Sequence, residues 1–278
     1  MTSTMEIVRA RPGVTLPADM KVTQARVIRS EWVKFWSLES SKVAVAAAFI
    51  GMIGIGVLYT GLTAARWSSL PPADRIVLDP TSASLAGYTI AELIVGVLGA
   101  LIVTGEYGTG MVHASLSAVP KRLPVVWGRL AVFAGVTFAV STVASFIAFF
   151  IGQAILDGPG LSTTIGAPGV LRAVVGMGLY LTGVGVLGAG LGWIIRNTAG
   201  TVATLLGVVL VLPGIVQALP SSWGERIAPY LPNIAGHEVA LVHTSPAMLA
   251  PWAGFGVLVA YLVAVTGTGA YLLKRRDA

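Results

Sequence analysis

Six long apolar runs alternate with short polar segments along the chain. Each run is long enough to form a helix that crosses the hydrocarbon core of a bilayer, which takes about 20 residues. Backbone polar groups find no water in lipid, so such runs are helical unless a barrel closes, and the alternating pattern of barrel strands does not occur in them. The pattern therefore predicts an all-α membrane protein with six transmembrane helices. The predicted spans are Val43–Ala65, Leu85–Thr104, Leu130–Leu156, Ala173–Ile195, Ala199–Leu219 and Ala250–Leu273.

A shorter two-faced helix is predicted before the first span. From Asp19 to Ser37 apolar residues recur at spacings of three and four, and charged residues fall between them. We predict that residues 19–42 form an interfacial helix along the membrane surface, preceded by a flexible tail over residues 1–18. The pattern fits a plain anchor and a segment that also contacts a partner equally well. The side chains assigned to this interfacial site are Arg29, Glu31, Trp32, Lys34 and Trp36.

Composition and charge agree with a membrane protein and set its orientation. Hydrophobic residues make up 55% of the chain and charged residues only 11%, against about 25% charged residues in soluble domains. Of the 18 lysines and arginines, all but Arg66, Arg75, Arg172 and Arg226 fall on the side of the two termini. The positive-inside rule therefore predicts cytoplasmic termini. This topology also explains the net charge of +6, and no soluble stretch is long enough for a nucleic-acid-binding domain.

The six-span domain is predicted to cover residues 43–278, with two features that bear on its packing. Span 4 holds seven glycines between Gly176 and Gly192, which predicts close approach of neighbouring helices. The very short connection Arg196–Thr198 makes spans 4 and 5 an antiparallel hairpin. The loop over residues 220–249 carries aromatic residues and prolines but few charges, so we predict short helices that dip into the outer leaflet.

The residues needed for catalysis or nucleotide binding are scarce in this sequence. None of the five lysines is followed by Ser or Thr, so the phosphate-binding loop of ATPases is missing, and the chain has no cysteine. His237 and Glu238 begin a zinc-protease motif, but Leu241 occupies the place of its second histidine. We therefore expect no enzymatic activity and no metal or other cofactor in this chain.

Glu92 is the one acidic residue inside a predicted span, and Tyr88 lies one helical turn before it. A carboxylate at the bilayer centre costs about 2.5–3.5 kcal/mol on insertion scales, so we expect Glu92 to face the bundle interior or a wet cavity. A place on a transport pathway and a structural hydrogen bond between helices both explain it, and the sequence does not choose between them.

A polar and basic segment between spans 2 and 3 carries a pattern that can be matched to a family. It reads T-G-E-Y-G-T-G from Thr104 and V-P-K-R up to Arg122, and it resembles the permease subunits of type-2 ATP-binding cassette (ABC) exporters, especially the compact six-span type of actinobacteria. The resemblance extends to three further motifs along the chain. These are R-S-E-W-V-K-F-W at Arg29–Trp36, R-N-T-A-G at Arg196–Gly200 and Y-L-P-N-I-A-G at Tyr230–Gly236, followed by a basic C-terminal end.

The resemblance implies a subunit without catalysis of its own. Such a permease forms the translocation pathway as a dimer with a second copy or a close homologue, in a bacterial cytoplasmic membrane. Two separate ATPase subunits bind ATP and Mg²⁺ and drive it through a cytoplasmic coupling helix between spans 2 and 3. The residues that this implies for coupling are Glu106, Tyr107, Thr109, Gly110, Met111, His113, Leu116 and Val119. Glu106 is expected to be the cap or salt-bridge anchor at the start of that helix.

Three other interpretations of the sequence can be set against the exporter. A self-contained secondary transporter or channel would use Glu92 as its proton or ion site, with Tyr88 beside it on the pathway, although spans 1–3 show no clear similarity to spans 4–6. A membrane-embedded enzyme would need an acid and a base at one depth, and the residues of the spans do not supply such a pair. The segment after span 2 also fits an ordinary cytoplasmic loop. The few charges of the spans weakly favour an amphipathic transport substrate.

Overall fold

The six predicted membrane spans are present as helices. The structure is a computed structural model, and it describes residues 23–69, 71, 75, 78–108 and 122–276. Within these residues six helices are long and apolar enough to cross a membrane, and no strand occurs. The prediction of a multi-pass, all-α membrane protein is thus confirmed. Spans 1 to 6 are Glu39–Ser69, Tyr88–Tyr107, Val126–Asp157, Val170–Ile195, Thr198–Gln217 and Pro251–Leu273.

The helices differ at their ends from the predicted apolar runs. Span 1 begins at Glu39 because Leu38 is extended and interrupts the chain just before it. The helix of span 2 continues to Gly108, and that of span 3 begins at Arg122. Both helices therefore extend by polar turns beyond their apolar residues. A prediction based on hydrophobic residues alone does not detect these turns.

A separate N-terminal helix covers Gln24–Ser37, within the range predicted from the sequence. Its buried side chains, Val27, Glu31 and Phe35, recur every four residues, and this face packs on the helix of span 3. Its predicted position along the membrane surface stays a prediction. The tail 1–18 and most of the predicted coupling helix, residues 109–121, lie outside the described residues.

Span 4 is the centre of the bundle. In its apolar window 67% of the residues are buried, against 22% in spans 1 and 6. A Cβ atom added at Gly188 would overlap the carbonyl oxygen of Gly96 in span 2, and one at Gly178 would overlap Thr142 in span 3. The close packing predicted from the glycines is thus confirmed, because backbones approach here to distances that only glycine permits.

Spans 4 and 5 form the expected hairpin. Arg196 ends span 4 in the left-handed conformation with φ 58°, and the Asn197 side chain then accepts a hydrogen bond from the Gly200 N–H at 2.8 Å to cap span 5. Span 5 itself comprises helix Thr198–Leu206, a π-helical turn Gly207–Val211 and helix Leu212–Gln217.

Short helices occupy the connections on the other side of the bundle. The connection between spans 1 and 2 contains helix Pro80–Ser84, and the one after span 5 contains helices Ser221–Ile227 and Pro232–His237 with 3₁₀ turns Ala228–Tyr230 and Glu238–Ala240. We call Pro232–His237 the loop helix. It packs on spans 4 and 6, and this contact carries its last residue, His237, into the bundle. Whether the loop enters a lipid leaflet stays a prediction.

Candidate functional site

Four charged side chains meet at the end of the bundle that carries the N-terminal helix, which we call the proximal end. Arg129 of span 3 pairs with Glu31 of the N-terminal helix, with Nε to Oε2 at 3.0 Å and Nη2 to Oε1 at 3.4 Å. The same Nη2 lies 2.7 Å from Oε1 of Glu106 in span 2, and Lys34 forms an ion pair with that oxygen. We call Glu31, Lys34, Glu106 and Arg129 the proximal charge cluster.

The positions of these residues on their helices bring them together. Glu31 lies on the buried face of the N-terminal helix and Lys34 follows one turn later. Glu106 lies in the last turn of the span 2 helix, so it belongs to that helix rather than to the start of a separate one. Arg129 also contacts the Ile102 carbonyl oxygen through Nη1 at 3.4 Å, which fixes its guanidinium against span 2.

The proximal charge cluster is electrically balanced and mostly buried. Glu31, Glu106 and Arg129 are between 7% and 9% exposed, and two carboxylates face two cations. Buried charges must be paired to offset the loss of hydration, and each of the four side chains belongs to an ion pair here. Burial and the nearby Arg129 lower the pKa of Lys34, although Glu31 opposes the change. The cluster thus joins the N-terminal helix to the helices of spans 2 and 3.

Two further contacts at the proximal end join motifs that are far apart in sequence. The Arg196 guanidinium carbon lies 5.2 Å from the centre of the Tyr107 ring, in the geometry of a cation–π interaction. One turn away, the Thr198 hydroxyl donates to the Thr104 hydroxyl at 3.0 Å. The T-G-E-Y motif at the end of span 2 and the R-N-T-A-G turn therefore pack together.

The remaining proximal residues singled out from the sequence do not join the cluster. Arg29 and Trp32 are exposed, and the Trp32 and Trp36 rings meet edge to face at 5.9 Å. Trp36 packs beside the buried Phe35. The remaining residues assigned to coupling lie outside the described part of the chain. These are Thr109, Gly110, Met111, His113, Leu116 and Val119.

Glu92 and Tyr88 belong to a second polar cluster at the other, distal end of the bundle. The Tyr180 hydroxyl of span 4 donates to Oε2 of Glu92 at 2.5 Å, and both side chains are buried. His237 stacks on Tyr88 with ring centres 4.3 Å apart and meets the Tyr180 ring at 5.3 Å. We call Tyr88, Glu92, Tyr180 and His237 the distal aromatic cluster.

Sequence reasoning missed three members of these two clusters. In the sequence Arg129 indicates only topology, Tyr180 lies in a glycine-rich run that suggests packing alone, and His237 suggests only a zinc ligand. Their partners are between 23 and 149 positions away, so no spacing within one helix could have indicated the contacts. In the described part of the chain no three His, Asp or Glu side chains are grouped to hold a metal ion.

An open cavity of about 880 Å³ adjoins the distal aromatic cluster. It lies between the outer parts of spans 1 and 2, the helix Pro80–Ser84 and the loop after span 5. Tyr88 belongs both to its wall and to the cluster. The polar side chains of the wall are those of Tyr59, Asp79, Ser82, Tyr88, Thr89 and His243.

The proximal charge cluster predicts a large effect of Arg129→Met. We expect the free energy of unfolding to fall by about 3–5 kcal/mol, because Glu31 and Glu106 stay buried without their main cation. Equilibrium unfolding in mixed detergent micelles measures it. The control is Lys42→Met, which removes the exposed 3.2 Å ion pair with Glu39 and should change stability by less than about 1 kcal/mol. Equal effects of the two substitutions would contradict the structural role of the cluster.

The buried imidazole of His237 predicts a loss of stability in acid. Burial lowers the pKa of His237 from 6.5 to about 4. Between these two pH values the unfolded chain takes up a proton that the folded chain does not bind, so stability falls as the pH falls. We expect a loss of up to roughly 3 kcal/mol between pH 6.5 and pH 4.

The comparison variant for this pH effect is His237→Phe, which keeps a ring beside Tyr88 and removes the titrating group. Its stability, measured by the same unfolding titration, should fall less steeply than that of the unmodified protein over this pH range. A variant that loses stability in acid as fast as the unmodified protein would rule out His237 as the cause. Similar stabilities at pH 8 would verify that the substitution preserves the fold.

Comparison with known proteins gives no family for the chain. No family model matches it, and a search of the curated proteins finds no match. Any function assigned to the two clusters therefore depends on their geometry and on the sequence motifs.

Proposed function

We propose that this chain is the membrane-spanning subunit of an ATP-driven exporter, which forms the translocation pathway as a dimer and is driven by two separate ATPase subunits. The observation that supports this most directly is the proximal charge cluster. It joins the N-terminal helix to both helices that flank residues 109–121, the segment that the sequence motifs assign to coupling.

The physical argument concerns how a movement would pass into the membrane. A pull on residues 109–121 acts on the ends of spans 2 and 3 at once, because the chain connects it to both. Arg129 and Glu106 couple these two ends to each other, and Glu31 and Lys34 couple them to the N-terminal helix. Three helices linked by buried ion pairs favour rigid-body motion over separate bending.

The contacts of span 2 with span 4 extend this mechanical unit to the bundle centre. Tyr107 and Thr104 contact the turn between spans 4 and 5, and Gly96 and Gly99 approach span 4 closely. In the proposed exporter, ATP and Mg²⁺ bind to the partner ATPases, and this chain converts their closure into movement of its spans. A second permease copy completes the pathway.

The proposed setting is a bacterial cytoplasmic membrane with both termini in the cytoplasm. The excess of Lys and Arg at the proximal end supports this orientation. The N-terminal helix exposes Trp32 beside a charged and half-buried Lys34, as expected of a helix at the headgroup level.

The orientation can be tested with single cysteines, because the natural chain has none. Ser37 is exposed at the proximal end and Thr164 at the distal end. In intact cells, a membrane-impermeant maleimide should label Thr164→Cys and leave Ser37→Cys unmodified until the cells are lysed. The reverse labelling pattern would show that the proximal end faces outward. Residues 109–121 could then not contact a cytoplasmic ATPase.

Coupling can be tested by co-expression with an ABC-type ATPase encoded beside the gene. We expect the two proteins to co-elute and to hydrolyse ATP. Glu106→Gln should leave the complex assembled but reduce ATP-dependent transport at least tenfold. A loss of about 1.4 kcal/mol in the free energy that couples the ATPases to the spans is enough for a tenfold change. Glu39→Gln is the matched control, since Glu39 is an exposed carboxylate at the same end with its own ion pair.

Glu92 favours a second candidate function, a secondary transporter or channel that needs no ATPase. It is a buried carboxyl within a span, and such groups often mark proton or ion pathways. The same preparation distinguishes the two proposals. A chain that purifies without any ATPase and moves a solute across vesicle membranes without ATP would overturn the exporter proposal.

A further inference from the structure

The cavity at the distal end and the distal aromatic cluster form one continuous feature. Tyr88 contributes to the wall of the cavity, and its ring stacks on that of His237. Tyr88 is also near enough to Glu92 for an electrostatic interaction between them. Glu92 follows Tyr88 by one turn of the span 2 helix. A molecule in the cavity can therefore approach Glu92 if it displaces the Tyr88 ring.

The cavity and the distal aromatic cluster each contain an acidic side chain, Asp79 in the wall and Glu92 in the cluster. Asp79 is in the cavity wall, where it accepts hydrogen bonds from the Thr81 N–H at 3.0 Å and the Ser82 hydroxyl at 2.7 Å. The residues that line the cavity in the described part of the chain include no Lys or Arg. Arg75 donates instead to the Ser68 carbonyl, and Arg172 to the Val239 carbonyl, so both are engaged elsewhere.

The acidic group at the centre of this site is Glu92. It is 7% exposed and accepts a hydrogen bond from Tyr180, yet it forms no ion pair with any described residue. The Nε2 atom of the neighbouring His237 is also buried without a hydrogen-bond partner among the described residues. A buried carboxylate without a cation is costly, so a positively charged ligand would complement this site.

The surroundings distinguish between kinds of cation. A divalent metal ion needs several oxygen or nitrogen ligands, and the described residues hold no group of three acidic or histidine side chains. The rings of Tyr88, Tyr180 and His237 lie against one another beside Glu92. Aromatic faces attract ammonium groups, and the neighbouring cavity offers room for an apolar body.

We propose that the distal aromatic cluster and its cavity bind an amphipathic organic cation, with the ammonium group at Glu92 among the rings of Tyr88, Tyr180 and His237. The apolar part of the ligand occupies the cavity beside Tyr59 and Thr89. As a binding site this assignment stands by itself. As the substrate class of an exporter, it rests on the function proposed above.

A matched pair of probes tests the proposal with the purified full chain and without any ATPase. The cation is meta-hydroxyphenyltrimethylammonium, and its neutral isostere is meta-tert-butylphenol, in which carbon replaces the charged nitrogen. Isothermal titration in detergent, with empty micelles as the blank, measures both affinities. We expect saturable binding of the cation and at least about tenfold weaker binding of the isostere.

Two substitutions and one control identify the site. Glu92→Gln should weaken binding of the cation about tenfold or more and leave the isostere unchanged. Tyr88→Leu should weaken the cation several-fold through loss of a ring face. Asp157→Asn removes a carboxylate at the same end that accepts a hydrogen bond from Ser162 at 2.7 Å, and it should change neither affinity.

Several outcomes would overturn the proposal. They are equal binding of the two probes, cation binding that survives Glu92→Gln, and absence of saturable cation binding to the folded protein. If Glu92→Gln fails to fold, Tyr88→Leu decides, and equal loss of both probes in that variant refutes a cation site. If the chain binds the cation but assembles with no ATPase, the cation site stands and the exporter proposal is wrong. If the chain assembles with the ATPase but does not bind the cation, the exporter proposal stands and the cation site is wrong.

Discussion

The close approach of span 4 to its neighbours is the constraint on which the rest of the structure depends. In lipid, helices gain little from burying apolar surface, so association relies on tight van der Waals contact and on hydrogen bonds between helices. Glycines provide that contact at Gly188 against span 2, at Gly178 against span 3 and at Gly176 against the loop after span 5. Span 4 can therefore hold the Tyr180 hydroxyl against Glu92, and the loop helix can bring His237 beside both rings.

The two ends of the bundle treat buried charge in different ways. At the proximal end two carboxylates face two cations, and the balance links three helices mechanically. At the distal end Glu92 receives a neutral phenol and aromatic rings instead of a cation. The first arrangement is internally complete, which fits transmission of movement. The second leaves a buried carboxyl group without a cation among the described residues, which fits a positively charged ligand.

The order of events in an exporter follows from this division, if the proposed function holds. The proximal end receives a movement and passes it through spans 2 and 3 to span 4. Span 4 carries Tyr180 in the distal aromatic cluster, and span 2 carries Tyr88 and Glu92. A relative shift of these two spans would separate Tyr180 from Glu92 and change the affinity of the distal site. One pair of helices thus connects the two clusters.

The number of spans, the hairpin of spans 4 and 5, the presence of an N-terminal helix and the need for Glu92 to avoid lipid can all be predicted from the amino-acid sequence. These properties depend on local hydrophobicity, helical period and connection length, which a chain carries in any fold. The pairing of Glu106 with Lys34 and Arg129 is visible only in the folded bundle, as are the contact of Tyr180 with Glu92 and the packing of His237 on Tyr180. Such contacts depend on how helices distant in sequence rotate and dock. The physical reason is that packing around the glycines of span 4 fixes those rotations, and no spacing along the chain encodes them.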